Sequence, residues 1–126
     1  MKRIIAMGVF SAILGLFSCN AQSSDNAFKS VEVEEFAKVI ADTAVVRLDV
    51  RTADEYAEGH IDNTINIDVL KDDFESKATA TLPKDKTIAL YCRSSRRSKN
   101  AAKILTKNGY TVVELNSGYN GWKSKK

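Results

Sequence analysis

From Phe28 onward, short apolar runs alternate with segments whose apolar residues recur at helical spacing. Phe28 to Val31 fits a short first strand, and Glu34 to Ala41 places Phe36, Val39 and Ile40 on one helical face. Ala44 to Val50 is apolar except at Arg47 and Asp49, the pattern of a strand covered on both sides. Thr52-Ala53-Asp54-Glu55 has capping-box spacing, so a short helix is predicted to start there and to stop at Gly59. Thr64 to Ile67 reads as a third strand. Val69 to Ala80 reads as a helix, closed by Leu82-Pro83 and a Lys84-Asp85-Lys86 turn. Thr87 to Tyr91 is a fourth apolar run, ending in Cys92. Ser98 to Asn108 then carries Ala101, Ala102, Ile104 and Leu105 at helical spacing, with Asn108-Gly109 as a stop. Thr111 to Leu115 is the last strand, and Gly118 to Lys123 a short terminal helix or turn that seats Trp122. Strands alternating with helices predict an α/β fold, a five-stranded parallel sheet flanked by helices on both faces.

Before Phe28 the pattern is of another kind. Lys2 and Arg3 precede an apolar run from Ile4 to Phe17, short of the roughly 20 apolar residues that a membrane-spanning helix needs, so residues 1–18 read as a secretory signal peptide. Ser18-Cys19 resembles a bacterial lipobox, whose cysteine is acylated and becomes the mature N-terminus. Residues 19–27 are then a lipidated N-terminus and polar tether, and residues 28–126 the folded domain. The expectation is an exported protein, lipid-anchored through Cys19 at the bacterial cell envelope and facing the periplasm or the exterior. A cut after Ala21 would instead give a soluble secreted or periplasmic protein.

That reading changes what the charge means. The chain carries 19 basic and 16 acidic residues, net +3, and removal of Lys2 and Arg3 with the signal peptide lowers this to +1. No run of like charge points to nucleic acid. The two cysteines are Cys19 and Cys92, so lipidation of Cys19 leaves one thiol and no intramolecular disulfide, which suggests that Cys92 is kept for its reactivity. His60 is the only histidine, and no Cys or His cluster offers a metal site.

The chemistry concentrates at Cys92-Arg93-Ser94-Ser95-Arg96-Arg97-Ser98. A strand ending in a cysteine, then small polar residues, three arginines and a helix, places the thiol against the positive end of a helix whose first N–H groups lack intrahelical partners. Such a site favours thiolate and also binds oxyanions. Cys92 is therefore the candidate nucleophile, with Arg93, Ser94, Ser95, Arg96, Arg97 and Ser98 as anion-binding residues. A parallel sheet binds ligands beyond the carboxyl ends of its strands, where Cys92 falls. Asp49 and Arg51 sit at another carboxyl end. They line the same mouth or serve structure, Asp49 accepting from loop amides and Arg51 pairing with Asp54 or Glu55. His60 is better suited to satisfying backbone groups of its turn than to acting as a base, and Tyr91 is expected to pack beside the site.

The Cys92 loop resembles the active-site loop of the rhodanese (sulfurtransferase) family. The resemblance runs from about Val31 to Trp122. It includes Leu48-Asp49-Val50-Arg51 followed by Glu55-Tyr56, Gly59-His60-Ile61 leading to Asn66-Ile67, the Cys92 loop, and Gly118 with Trp122. Cys92 to Arg97 spans six residues, the length associated with sulfur-transferring members, whereas related phosphatases and arsenate reductases carry one more. The resemblance implies that Cys92 takes sulfur from a small anion such as thiosulfate as a persulfide. Cysteine then passes it to a thiol, cyanide or a partner protein, without a cofactor and as a monomer. The alternatives are a phosphatase or arsenate reductase on the same fold, or a noncatalytic membrane-tethered sulfide- or persulfide-binding module. Three departures stand out: Ser95 in place of a usual glycine, Asp62-Asn63 in place of Pro-Gly, and Ser117-Gly118 in place of Gly-Gly. If position 95 requires a positive φ, its serine is strained.

Overall fold

Side chains alternate across a strand, so a sheet covered on both sides needs apolar residues at both parities. The run Thr87-Ile88-Ala89-Leu90-Tyr91 meets that condition, and it forms the central strand of the fold. The computed structural model describes residues 28–125; the signal peptide, Cys19 and tether expected over 1–27 lie outside the described residues. Five strands, β1 (Lys29–Val31), β2 (Val46–Asp49), β3 (Thr64–Asn66), β4 (Thr87–Tyr91) and β5 (Thr111–Leu115), alternate with five helices. These are α1 (Val33–Ile40), α2 (Ala53–Glu58), α3 (Phe74–Thr81), α4 (Arg96–Lys107) and α5 (Gly118–Lys125). The sheet order is β1-β5-β4-β2-β3 and every pairing is parallel.

One sheet face packs Leu48, Ile88, Leu90, Cys92 and Val112 against Phe74 and Ala78 of α3 and Ala101, Ala102 and Leu105 of α4. The other packs Val31, Ala89, Tyr91, Val113 and Leu115 against Val33, Phe36 and Ile40 of α1, with Tyr119 and Trp122 of α5. Fully burying a side chain such as Leu105 or Phe36 contributes about 1.5–3 kcal/mol. The helical spacing in the sequence is thus what glues α1 and α4 to their faces. By contrast α2 buries no residue and is held by its capping box, in which Thr52 accepts from Glu55 N and Glu55 accepts from Thr52 N.

Element bounds depart from the pattern where side chains compete with the backbone. The helix expected from Val69 begins only at Phe74, because Asp68 captures Leu70 N and Lys71 N in a turn and Val69 N is drawn to Val50 O. The second strand begins at Val46, not Ala44, because Asp42 holds Ala44 N and Val45 N in the same way. The fourth helix begins at Arg96, two residues before the expected Ser98, which puts Arg96 and Arg97 inside its first turn. In sheet order the chain leaves β2 toward β3 and leaves β4 toward β5 on the opposite side. The crevice between the carboxyl ends of β2 and β4 is therefore the switch point at which α/β sheets bind ligands. Asp49 ends β2 and Cys92 follows β4 directly.

Candidate active site

Alternation along β4 sends Leu90 and Cys92 to the α4 face and Tyr91 to the α1 face. Cys92 carries a free thiol, 1% exposed. The chain then has to turn from strand to helix within a few residues, and the first turn of α5 governs how. Tyr119 N donates to Cys92 O at 2.8 Å and Asn120 N to Arg93 O at 3.0 Å. In a trans peptide the C=O and the following N–H point in opposite directions. With the carbonyls of 92 and 93 held by α5, the N–H groups of Arg93 and Ser94 point away from α5. The N–H groups of Arg96, Arg97 and Ser98 open α4 and have no carbonyl one turn earlier. Such a set of N–H groups, in the loop and helix start that follow Cys92, is what binding an anion requires.

Gly118 makes this grip feasible. Its φ is +66°, and a Cβ there would lie 2.5 Å from Arg93 O and 2.6 Å from Ser94 O. No L side chain fits. Ser117, which replaces the usual glycine, has a buried hydroxyl without a hydrogen-bond partner among the described residues. It lies where a Cβ on Gly121 would be, so the two positions are complementary.

The loop side chains do different things. Arg93, Ser94 and Arg96 are exposed. Arg97 is half-buried and forks onto Glu55, with Nη1 to Oε1 at 2.7 Å and Nη2 to Oε2 at 3.0 Å. The Arg97 contact holds the Glu55 carboxyl down at about 2, and Glu55 in turn raises the Arg97 guanidinium above its ordinary value. Arg97 is thus tied to α2 by a charge pair as well as facing the thiol region. Ser98 is buried, and its hydroxyl lies between Ser95 O at 2.8 Å and the carboxylate of Glu114. That engagement, set by the inward-facing position in the first turn of α4, takes the Ser98 hydroxyl out of the anion-binding set read from sequence and leaves it only the Ser98 N–H. Ser95 has φ −167°, extended backbone that any residue adopts. The positive φ that would strain a serine is not there, because the turn is made by the α5 contacts instead. The positive φ lies at Asn63, +60°, one of the few residue types that tolerate it and the one found where a Pro-Gly is usual.

Asp49 and Arg51 form a buried pair. Asp49 Oδ1 accepts from Arg51 N at 2.9 Å and Oδ2 from Arg51 Nη2 at 2.6 Å, while Nη2 also reaches Gly59 O at 2.7 Å. Arg51 therefore pairs with Asp49 and not with Asp54 or Glu55, since the period of two along an extended chain, not helical spacing, sets its neighbours. Burial works against the Arg51 charge, and the Asp49 carboxylate outweighs it, raising the guanidinium above its ordinary value. The guanidinium lies over the Tyr119 ring at 4.5 Å and beside Tyr91 at 5.7 Å. Tyr91 is fully buried, its hydroxyl accepts from Ile61 N at 3.0 Å, and burial pushes its phenol well above the ordinary range. It packs on the far side of the sheet from the thiol. His60 Nδ1 is 2.8 Å from Tyr56 O and its ring stacks on Tyr56 at 3.7 Å.

Two features escaped the sequence reading. One is the Arg97–Glu55 fork across 42 residues. The other is Glu114, a charged residue within the apolar run Val112-Val113-Glu114-Leu115, whose position was the available signal. A hollow of about 230 Å³ opens beside Arg93, walled by Arg51, Glu55, Tyr119 and Lys123. A separate one of about 560 Å³ lies between α1, α5 and His60–Asp62, away from Cys92.

Comparison with known proteins points the same way. The rhodanese-like domain family matches residues 32–125. The thiosulfate sulfurtransferase PspE of Escherichia coli (strain K12) is 42% identical over 71 residues, 56% of this chain and 67% of that protein. The putative sulfurtransferase YtwF of Bacillus subtilis (strain 168) is 35% identical over 88 residues, 70% of this chain and 82% of that protein. Among solved structures, a rhodanese-related protein from Thermoplasma volcanium shares the fold with a TM-score of 0.69 at 29% identity, covering 77% of this chain and 92% of that one. A match that spans α1 through α5, with a cysteine at the end of the central strand, makes this chain a member of the rhodanese-like domain family.

Proposed function

We propose that the protein is a sulfurtransferase that moves a sulfane sulfur from thiosulfate or a related anion to a thiophilic acceptor through a persulfide on Cys92. The carrying observation is the grip of α5 on the carbonyls of Cys92 and Arg93, which supports this reading because it turns the following N–H groups away from α5. The Cys92 thiolate attacks the outer sulfur of thiosulfate, a new S–S bond forms, and sulfite leaves with the electron pair of the bond that breaks. The acceptor, a thiolate, cyanide or a partner protein, then attacks the outer sulfur of the persulfide, and the Cys92 thiolate is restored. Loop N–H groups stabilise the negative charge on the terminal sulfur. The exposed Arg93 and Arg96 draw in the anion, whereas Arg97, forked onto Glu55, fixes the loop to α2. The six-residue loop favours this reading over phosphate or arsenate chemistry, because a tetrahedral oxyanion bound beside the cysteine needs a wider cradle.

Incubation with thiosulfate is expected to add one sulfur, about 32 Da, to the protein, and Cys92→Ser to abolish the addition in mass spectrometry. Persistence of the added mass in Cys92→Ser overturns the assignment. The same proposal places the protein at the cell envelope, on the strength of Lys2, Arg3, the apolar run and Cys19. Radiolabelled palmitate is expected in the wild type and not in Cys19→Ala. A soluble protein beginning at Gln22 would establish the cut after Ala21 instead.

A further inference from the structure

Glu114 stands in an otherwise apolar strand and is fully buried. By alternation it shares the Val112 face of the sheet, which α4 covers and Cys92 occupies. The register sets it beside Leu90 of β4, two residues before Cys92, and beside Ser30 of β1. Its Oε1 accepts from Ser30 Oγ at 2.6 Å and from Lys99 Nζ at 3.1 Å, and its Oε2 accepts from Ser98 Oγ. Lys99 also donates to Asn116 Oδ1 at 2.8 Å. The Ser98 and Lys99 contacts join the first turn of α4 to the carboxyl end of β5, and the Ser30 contact ties β5 to β1.

A buried carboxylate sacrifices several kcal/mol of hydration, and an apolar side chain of similar size commonly serves stability as well. What the carboxylate supplies is direction. The Ser98 hydroxyl has one hydrogen and two acceptors in reach, Ser95 O and Glu114. Donated to the carboxylate, it ties to β5 the first turn of α4, which Lys99 N closes onto Ser95 O at 3.0 Å. The same turn carries N–H groups of the anion site.

We propose that Glu114, acting through Ser98, is a positioning residue for the Cys92 loop: it sets the first turn of α4 at the distance from β4 at which its N–H groups meet the sulfur. This rests on Cys92 as the nucleophile of the proposed function, and the test separates the two. In the full chain, the rate of iodoacetamide alkylation at Cys92, followed peptide by peptide against pH, reports thiolate stabilisation without any sulfur transfer. Ser98→Ala and Glu114→Leu are each expected to raise the midpoint of that profile by about half a pH unit. Both are also expected to raise KM for thiosulfate roughly fivefold, with a smaller change in kcat. Glu114→Gln keeps an oxygen for the Ser98 hydroxyl and is expected to recover most of both. A lowered Tm with midpoint and KM unchanged would reduce Glu114 to a brace. A midpoint that falls equally in the Gln and Leu variants would mean that its charge acts directly on the thiol, and positioning would fail. If the alkylation shifts occur in a protein that does not turn over thiosulfate, the sulfurtransferase reading falls while the role of Glu114 stands.

Discussion

Two fully buried carboxylates flank the strand that delivers Cys92, one on each side of the sheet. Asp49 ends β2, lies opposite Tyr91 and faces α1; Glu114 lies near the end of β5, opposite Leu90, and faces α4. Asp49 finds its cation two residues along, in Arg51, which is itself 4% exposed and fixed by Gly59 O. Glu114 finds its donors 84, 16 and 15 residues away, in Ser30, Ser98 and Lys99. The side chain of Lys99 is 39% exposed, against 5% for Arg51. The difference teaches that the same buried charge is a local knot on one side and a junction between three elements on the other. A knot holds a chain end together. A junction fixes the elements it joins relative to one another, here β1, β5 and the first turn of α4.

The largest effect tests whether exposure of the cation decides the energy. Asp49→Leu strands a buried guanidinium and is expected to lower stability by about 3–5 kcal/mol in urea titration. Glu114→Leu is expected to cost only about 1–2 kcal/mol, because Lys99 can turn to water and only neutral hydroxyls lose a partner. Equal losses would show that partner exposure is not the deciding variable.

The Arg97–Glu55 fork lies between these cases, long-range like Glu114 but with both side chains about one-fifth exposed, at 22% and 21%. The folded-state carboxyl of Glu55, at about 2, is depressed from its ordinary 4.5, so its stabilisation is present above pH 4.5 and is lost as the pH falls toward 2. Wild type is expected to lose about 0.5–1 kcal/mol more between pH 7 and pH 3 than Glu55→Gln does, measured by denaturant midpoints. The same slope in both proteins would remove the fork from the comparison.

The smallest effects concern the backbone, where departures from the family pattern divide in the same way. Asn63 bears a positive φ, so Asn63→Ala is expected to cost about 1 kcal/mol and Asn63→Gly to change stability by less than about half of that. Ser95 does not, so Ser95→Gly is expected to bring no gain in rate and a loss of at most about 1 kcal/mol, from the freer unfolded chain. A faster Ser95→Gly enzyme would reopen strain in the loop.

Much of this protein is determined by spacing over a few residues. The strand–helix alternation, the Thr52–Glu55 cap, the apolar faces of α1 and α4, and the delivery of Cys92 at a strand end all follow from periods of two and 3.6 that each segment carries within itself. The rest depends on which distant segments meet. Arg97 was legible as a cation but not as the partner of Glu55. Ser98 was legible as a polar loop residue but not as the donor to a carboxylate on β5, and whether Ser95 bears a positive φ depended on the distant contacts of α5 with the loop. A hydrogen bond or a charge pair is chosen among all donors that packing brings within about 3 Å, and packing is the sum of many weak apolar contacts across both sheet faces. Local spacing places Cys92 at the end of a strand; only the folded sheet decides which groups surround it.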